Sequence, residues 1–342
     1  MTAPGPPMAL LAELTHRCPL ACPYCSNPIE LVRRSAELPT EAWIAVLREA
    51  ADIGVLHVHF SGGEPAARSD LETLVAAAAE AGLYTNLITS GVGLSEARVD
   101  DLAARGLDHL QISVQAPEPA LADRISGFQN ALALKRKVAA WTSRAGMALT
   151  VNAVMHRENL DLLPQTIDMA VDMGAQRLEV AHVQYHGWAL RNRGALMPTR
   201  AQADAARATV EEARKRLEGT LRIDYVPPDL FAQFPKPCMG GWGQVGMTIT
   251  PSGKVLPCHA AETIPHLSFE VAGSRPLGEI WDKGAAFNAY RGTDWMSETC
   301  RACPRHEIDS GGCRCQALAH VGDAAATDPA CERSPLNTVF RA

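Results

Sequence analysis

The chain has 342 residues, 47% of them hydrophobic and 20% charged, an ordinary globular composition long enough for one large domain or two smaller ones. A formal net charge of −6 excludes the strongly basic footprint of a nucleic-acid binder. No apolar run reaches transmembrane length, and Met1–Met8 has neither the basic start nor the apolar core of a secretory signal, so a cytoplasmic protein is expected.

The first two thirds alternate short apolar runs with helical patterns. Leu10–Thr15 reads as a strand, and Pro39–Ile53 as a helix with Thr40 as its candidate cap. Val55–Phe60 is a strand, Leu71–Ala81 a helix, Tyr84–Thr89 a strand and Ser95–Arg105 a helix stopped near Gly106. The strand Leu110–Val114, a helix over Asn130–Arg144, the strand Ala148–Val154, a helix over Leu160–Met173 and the strand Arg177–Val183 complete the series. Strands joined by helices imply right-handed crossovers and a parallel sheet. Six such units are too few for a closed eightfold barrel, so the expected fold is α/β, an open, partial (β/α)6 barrel with its chemistry at the C-terminal strand ends. Thr199–Leu217 reads as a long amphipathic helix, followed by a short strand over Leu221–Val226.

From Pro227 the prolines and glycines multiply. The predicted organisation is a flexible segment over 1–7, a barrel over 8–230 and a loop-rich domain over 231–342. The cysteines follow that division: three of the ten lie at Cys18, Cys22 and Cys25, and seven lie after residue 237. A chain of this class keeps its thiols reduced, so metal binding or catalysis is expected rather than disulfides. Metal then organises the loop-rich domain in place of a large apolar core.

Cys18-x3-Cys22-x2-Cys25 supplies three soft ligands in one loop after the first strand. A [4Fe–4S] cube held by three thiolates leaves one iron open, as a catalytic metal site requires. Half of a zinc knuckle is the alternative. Ser61-Gly62-Gly63-Glu64-Pro65 follows the second strand, with glycines that permit close backbone approach to a ligand.

The CxxxCxxC loop with Tyr24 before its third cysteine, followed by this Gly-Gly-Glu-Pro turn, resembles the radical S-adenosylmethionine (SAM) superfamily. The resemblance implies a [4Fe–4S] cluster on Cys18, Cys22 and Cys25, with SAM on its open iron and the SAM amino group near Gly62, Gly63 and Glu64. Tyr24, Ser113 and Asn152 are further candidate SAM contacts. The implied chemistry is reductive cleavage of SAM to a 5′-deoxyadenosyl radical that takes hydrogen from an unactivated carbon.

Cys238-x14-Gly253-x4-Cys258, then Cys300-x2-Cys303-x5-Asp309-x3-Cys313, Cys315 and Cys331, resembles the SPASM extension of peptide-modifying radical SAM enzymes. That pattern has cysteine where this chain has Asp309. The resemblance implies two auxiliary clusters, one on Cys238, Cys258, Cys313 and Cys315, the other on Cys300, Cys303, Asp309 and Cys331. The Cys313-x-Cys315 pair suits a [2Fe–2S] cluster at least as well as a cube. A zinc ribbon, and a solvated Asp309 in an Asp-Ser-Gly-Gly turn, are the competing readings.

Leu14–Leu20, Cys22–Pro28 and Val183–Arg193, together with the aspartate, are similar to the PqqE family, peptide cyclases of pyrroloquinoline quinone (PQQ) biosynthesis. That resemblance implies an oxidoreductase joining a glutamate γ-carbon to a tyrosine ring carbon in the precursor peptide PqqA. An auxiliary cluster would accept the surplus electron, which gives Asp309 a place in catalysis. The carrier PqqD and an electron donor such as flavodoxin are the implied partners, without membrane or nucleic acid. His182, Tyr185 and His186 are candidates for the ring proton, and Arg191 and Arg193 for substrate carboxylates. His57 and His59 alternate, so at most one faces the barrel interior. The alternative is another SPASM maturase, of the sulfatase-maturing type. A multi-cluster electron carrier would not need the three-cysteine site.

Overall fold

The computed structural model describes residues 4–338. In chain order it contains β1 (Ala9–Thr15), α1 (Thr40–Asp52), β2 (His57–Gly62), α2 (Leu71–Glu80), β3 (Tyr84–Thr89), α3 (Glu96–Ala104) and β4 (His109–Val114). Next come α4 (Pro119–Ser126), α5 (Ala131–Arg144), β5 (Ala148–Met155), α6 (Leu163–Asp172), β6 (Arg177–His182), α7 (Gly187–Arg191), α8 (Arg193–Leu196), α9 (Arg200–Arg216) and β7 (Arg222–Val226). The remainder holds β8 (Gly246–Ile249), β9 (Val255–Leu256), α10 (Leu277–Lys283), α11 (Ala285–Asn288), α12 (Glu298–Arg301), α13 (His306–Asp309) and α14 (Arg314–Val321). The strand order is β7-β6-β5-β4-β3-β2-β1-β8-β9. The short strand β7 extends the parallel series beside β6, in register from Arg177↔Arg222 to Ala181↔Val226.

Two local readings change. Thr40 is the first helical residue of α1 rather than its cap; Pro39 holds the cap position without a side-chain bond. Helix α4 was not expected; proline at its start and the left-handed Gly127 at its end delimit it. Ser95 and Thr199 do cap α3 and α9, the latter in a reciprocal capping box with Gln202.

The chain divides into two compact units. One comprises residues 13–36 and 59–228, and its strands sort cleanly by side. Leu87, Leu110, Ile112, Leu149, Val151, Leu178 and Val180 are buried on one face. Alternate positions put polar groups on the other. There His59 bonds Asn86 (2.9 Å), His109 bonds Thr150 (2.8 Å), and Glu179 accepts from Asn152 (2.9 Å) and Gln111 (3.3 Å). A sheet side that carries a hydrogen-bonded polar lattice suits a polar ligand better than helix packing.

The other unit contains the described residues among 1–12, 37–58 and 229–342. Within this unit the first strand's start and α1 pack with the C-terminal part, which begins at Asp229. β1 pairs in parallel with β8 from Ala9↔Gly246 to Ala12↔Ile249, and the Leu277 N–H donates to Glu49 Oε1 at 2.5 Å. Of the segment expected to be flexible, residues 1–3 lie outside the described residues. Gly5 is held through its carbonyl by the Trp281 indole N–H (2.9 Å), and Pro7 is buried. Residues 339–342 also lie outside. An apolar cluster of Trp242, Leu256, Ala261, Ile264 and Tyr290 includes Cys258 and Cys315. No helix among the described residues is long and apolar enough to cross a membrane.

Candidate active site and cluster-binding centres

The first centre grows out of the end of β1. Thr15 Oγ1 accepts from the Arg17 backbone (3.1 Å) and from Arg17 Nε (3.2 Å), turning the chain into the cysteine loop. Each thiol there has its own donor: the Leu20 N–H on Cys18, the Tyr24 hydroxyl on Cys22 and the Asn27 N–H on Cys25. Burial pushes all three thiols up, Cys18 to about 11. Such a set ionises when a cation compensates it, which is the behaviour of a metal-ligand cluster. The Tyr24 hydroxyl also accepts from Gln115 Nε2 (3.0 Å), and its ring lies 5.6 Å from His156. Burial, together with the Cys22 sulfur, holds the Tyr24 phenol well above its ordinary range.

The Gly-Gly-Glu turn is seated against this loop. A Cβ on Gly62, whose φ is +124°, would lie 2.3 Å from the Thr15 carbonyl oxygen. One on Gly63 would lie 2.4 Å from that of Arg17 and 2.6 Å from that of His16. The Gly63 and Glu64 N–H groups donate to Thr15 O (2.6 Å) and Arg17 O (2.8 Å). The close approach these glycines permit is to the chain's own backbone just ahead of Cys18. The buried Glu64 carboxylate accepts four bonds, from Ala66 N–H (3.0 Å), the Thr89 hydroxyl (2.7 Å), Ser90 N–H (2.7 Å) and the Ser90 hydroxyl (2.5 Å).

The segment 183–193 packs on the same loop from another side. Ala189 N–H donates to Cys25 O (3.1 Å) and Asn192 Nδ2 to Pro23 O (2.9 Å), while a Cβ on Gly187 would lie 2.1 Å from Asn27 O. Tyr185 joins the small apolar cluster of Val183, Ala189 and Leu196, with the Arg193 guanidinium 5.8 Å over its ring. Burial pushes its phenol up to about 12, against the opposing pull of Arg193 and Arg157. His186 is the buried cap residue of α7. Arg191 stacks on the exposed Trp188 at 5.5 Å. His182 alternates with Glu179 and so lies off the polar face, bonded through Nε2 to the Tyr225 hydroxyl at 3.0 Å. Ser113 and Asn152 are register partners across β4 and β5 on the polar face.

The second centre is a closed ring of thiols. Cys238 bonds Cys258 and Cys313, and Cys315 bonds the same two, so each sulfur has two sulfur neighbours. All four thiols are raised, Cys238 chiefly by its bond to Cys258 and Cys313 chiefly by its bond to Cys238. Cys313 also caps α14, its sulfur accepting the Gln316 N–H at 3.4 Å. The third centre is a recess lined by Cys300, Cys303, Asp309 and Cys331, with Thr327 and Asp328 beside them. Burial raises the Cys331 thiol, and Cys300, Asp309 and Cys303 add to the rise. Asp309 is buried, with Oδ1 taking the Gly311 N–H at 3.1 Å and Oδ2 3.7 Å from Arg305 Nε. Among the described residues no three Cys, His, Asp or Glu side chains surround one point as they would a single ion. The soft, closely grouped thiols of the ring and the loop, all raised, fit iron–sulfur clusters.

Residues 12–170 match the radical SAM superfamily, and residues 238–304 match SPASM, an iron–sulfur cluster-binding domain. The PqqA peptide cyclase of Ruegeria pomeroyi is 62% identical over 335 residues, 98% of this chain and 89% of that one. That of Rhizobium meliloti is 60% identical over 331 residues, 97% of this chain and 88% of that one. The chain belongs to the PqqA peptide cyclase family. The structure of Streptococcus suis SuiB bound to S-adenosylmethionine shares the fold, with a TM-score of 0.81 at 21% identity over 96% of this chain and 78% of that one. SuiB bound to its precursor peptide SuiA gives 0.79 at 20% identity, over 96% and 76%.

For this cyclase family member, the structure adds residues that the sequence did not single out. Lys135 is 1% exposed and donates to Ser90 O at 2.7 Å; its signal was a charge on the buried stripe of Leu132, Val138 and Ala139. Arg314 was visible as the residue between Cys313 and Cys315. Asp328 carried no signal, yet its buried carboxylate accepts from the Cys313 N–H (2.6 Å), Gln316 Nε2 (2.9 Å) and the Ala330 N–H (2.8 Å).

Proposed function

We propose that this protein cyclises the precursor peptide PqqA by joining a glutamate γ-carbon to a tyrosine ring carbon, with net loss of two hydrogens from the peptide. The observation that carries the reading is 62% identity with a PqqA peptide cyclase across 98% of the chain. Cys18, Cys22 and Cys25 hold the radical SAM cluster. When bound, that cluster and SAM supply the radical that removes hydrogen from an unactivated carbon.

The chain's own residues do the rest. Glu64 commits its carboxylate to Ala66, Thr89 and Ser90, which leaves the turn's backbone at Gly62 and Gly63 to face SAM, with Tyr24 beside the loop. Ser113 and Asn152 contact SAM from the polar strand face. Cys238, Cys258, Cys313 and Cys315 hold one auxiliary cluster; Cys300, Cys303, Asp309 and Cys331 hold the other. Tyr185, with its phenol at about 12, stays protonated near neutral pH and orients the substrate as a donor. His186 is then the better acceptor for the ring proton. Arg191 offers a charge for the peptide's carboxylates. PqqD presents the peptide, and a flavodoxin-type donor supplies the electron in the cytoplasm.

One anaerobic assay tests this. Reconstituted protein is mixed with SAM, reductant, PqqA and PqqD, and 5′-deoxyadenosine and peptide mass are both read. A peptide lighter by two hydrogens, with a Glu–Tyr link in its fragments, is the expected result. Deoxyadenosine without a peptide change overturns the substrate assignment, and no deoxyadenosine from a protein with its clusters verified overturns the radical SAM activity.

A further inference from the structure

Arg314 stands between two thiols of the ring, and its side chain is 1% exposed. Its guanidinium turns inward and donates to the carbonyls of Ala324 (2.8 Å), Ala326 (2.9 Å) and Gly311, with Gly312 O at 3.5 Å. The Trp295 ring covers it at 4.5 Å. Among the described residues every hydrogen bond it makes goes to a backbone carbonyl, and no carboxylate pairs with it. Asp328 feels its charge without a hydrogen bond between them, and that carboxylate is already committed to Cys313 N–H, Gln316 and Ala330 N–H.

A guanidinium keeps its charge at any physiological pH. Burying one without a counter-ion is costly, so such a group is retained where an anion compensates it. The ring of thiols is neutral while protonated and becomes strongly anionic as four thiolates on a cluster. Arg314 acts electrostatically on one ring member, Cys238, and directly adjoins Cys313 and Cys315 in the chain. Its carbonyl partners Gly311 and Gly312 form the link from Asp309 to Cys313, so one cation ties down the segment shared by both auxiliary centres.

We propose that Arg314 is the buried counter-charge of the cluster on Cys238, Cys258, Cys313 and Cys315, a positioning residue that raises that cluster's reduction potential. The physical basis is that net charge and surrounding dipoles set the potential of such a cluster, and a fixed cation favours the reduced, more negative state. The inference rests on the reading that this ring holds a cluster.

The test is a spectroscopic redox titration of the anaerobically reconstituted full chain, in a background with Cys18, Cys22 and Cys25 replaced by alanine. The ring's signal is identified as the one lost in C258S; if no signal is lost, the ring holds no cluster and the underlying reading fails. With the signal identified, R314M is expected to shift its midpoint potential downward, while R314K, which keeps the charge, stays close to the unsubstituted protein. Retention of the signal by R314K alone also supports the charge. Equal shifts in both variants, no shift, an upward shift in R314M, loss of the signal in both, or its retention by R314M alone overturns the proposal.

Discussion

Glu64 and Lys135 meet on one residue, Ser90, at the end of β3. The Glu64 carboxylate takes the Ser90 N–H at 2.7 Å and its hydroxyl at 2.5 Å, and Lys135 Nζ donates to the Ser90 carbonyl at 2.7 Å. Burial lowers Lys135 to about 8, and Cys22, Glu64 and Cys18 resist that fall. A buried anion and a buried cation are therefore bridged by a single backbone unit beside the first cysteine centre.

That bridge makes the two residues energetically coupled. Lys135→Met leaves the Ser90 carbonyl without its donor and removes a cation that acts electrostatically on Glu64, and is expected to cost about 1–3 kcal/mol in urea unfolding. In a double-mutant cycle, Glu64→Gln should cost less in the Lys135→Met background than alone, because the charge it removes is no longer compensated. Strictly additive costs would show that Ser90 does not link them.

Gly63 gives a steric prediction. Its Cβ would lie 2.4 Å from Arg17 O and 2.6 Å from His16 O, both backbone atoms that cannot yield without moving the loop. Gly63→Ala should therefore lose iron from the first centre and SAM cleavage with it, while Gly194→Ala, whose Cβ would meet nothing within 4 Å, should lose neither. Iron content per chain and deoxyadenosine yield measure both. Normal iron loading in Gly63→Ala would remove the packing role of this turn.

The legible parts of this protein are those set by local patterns. Strand and helix periodicities placed the parallel series to within a few residues, and the two sets of C-terminal residues that the family resemblance implied lie together at the ring and the recess. What stayed hidden depends on tertiary contacts. Helix α4 is short, eight residues, and its buried Leu121 and Ile125 give too brief a periodicity to stand out between its proline and Gly127. The joining of α1 to the C-terminal unit hinges on Glu49 reaching the Leu277 N–H, two residues with no sequence relation. Asp328 looks like any loop carboxylate until its three bonds around Cys313 are seen. His182 closes β6, but its parity puts it off the polar face.

His156 supplies a pH prediction. It is fully buried, and burial lowers its pKa from the ordinary 6.5 to about 4, with Glu158 opposing. Because the folded value is depressed, the unfolded chain takes up the proton first as pH falls. The contribution is intact above about 6.5 and is lost progressively toward about 4. The expected loss is on the order of 2–3 kcal/mol across that window. Denaturant unfolding of the metal-free, reduced chain should show this slope, and His156→Leu should flatten it. An unchanged slope in the variant would place the acid sensitivity elsewhere.

Asp309 gives a test in which peptide cross-linking and SAM cleavage are expected to respond differently. Its carboxylate shares the recess with Cys300, Cys303 and Cys331, and the bond from Gly311 N–H fixes only one of its oxygens. Replacing it with alanine removes a hard oxygen donor from a set otherwise made of soft sulfur. Asp309→Ala should therefore lower iron content at the recess and cut peptide cross-linking by on the order of tenfold or more, the scale expected when a metal's ligand environment is damaged. Deoxyadenosine formation, assigned above to the centre proposed on Cys18, Cys22 and Cys25, should continue. Asp309→Cys should restore iron better than alanine does, since it supplies a fourth thiolate from the same backbone position. Cross-linking that survives Asp309→Ala unchanged would mean that this carboxylate holds no metal needed by the reaction, and its bond from Gly311 N–H would then be a turn-stabilising contact alone.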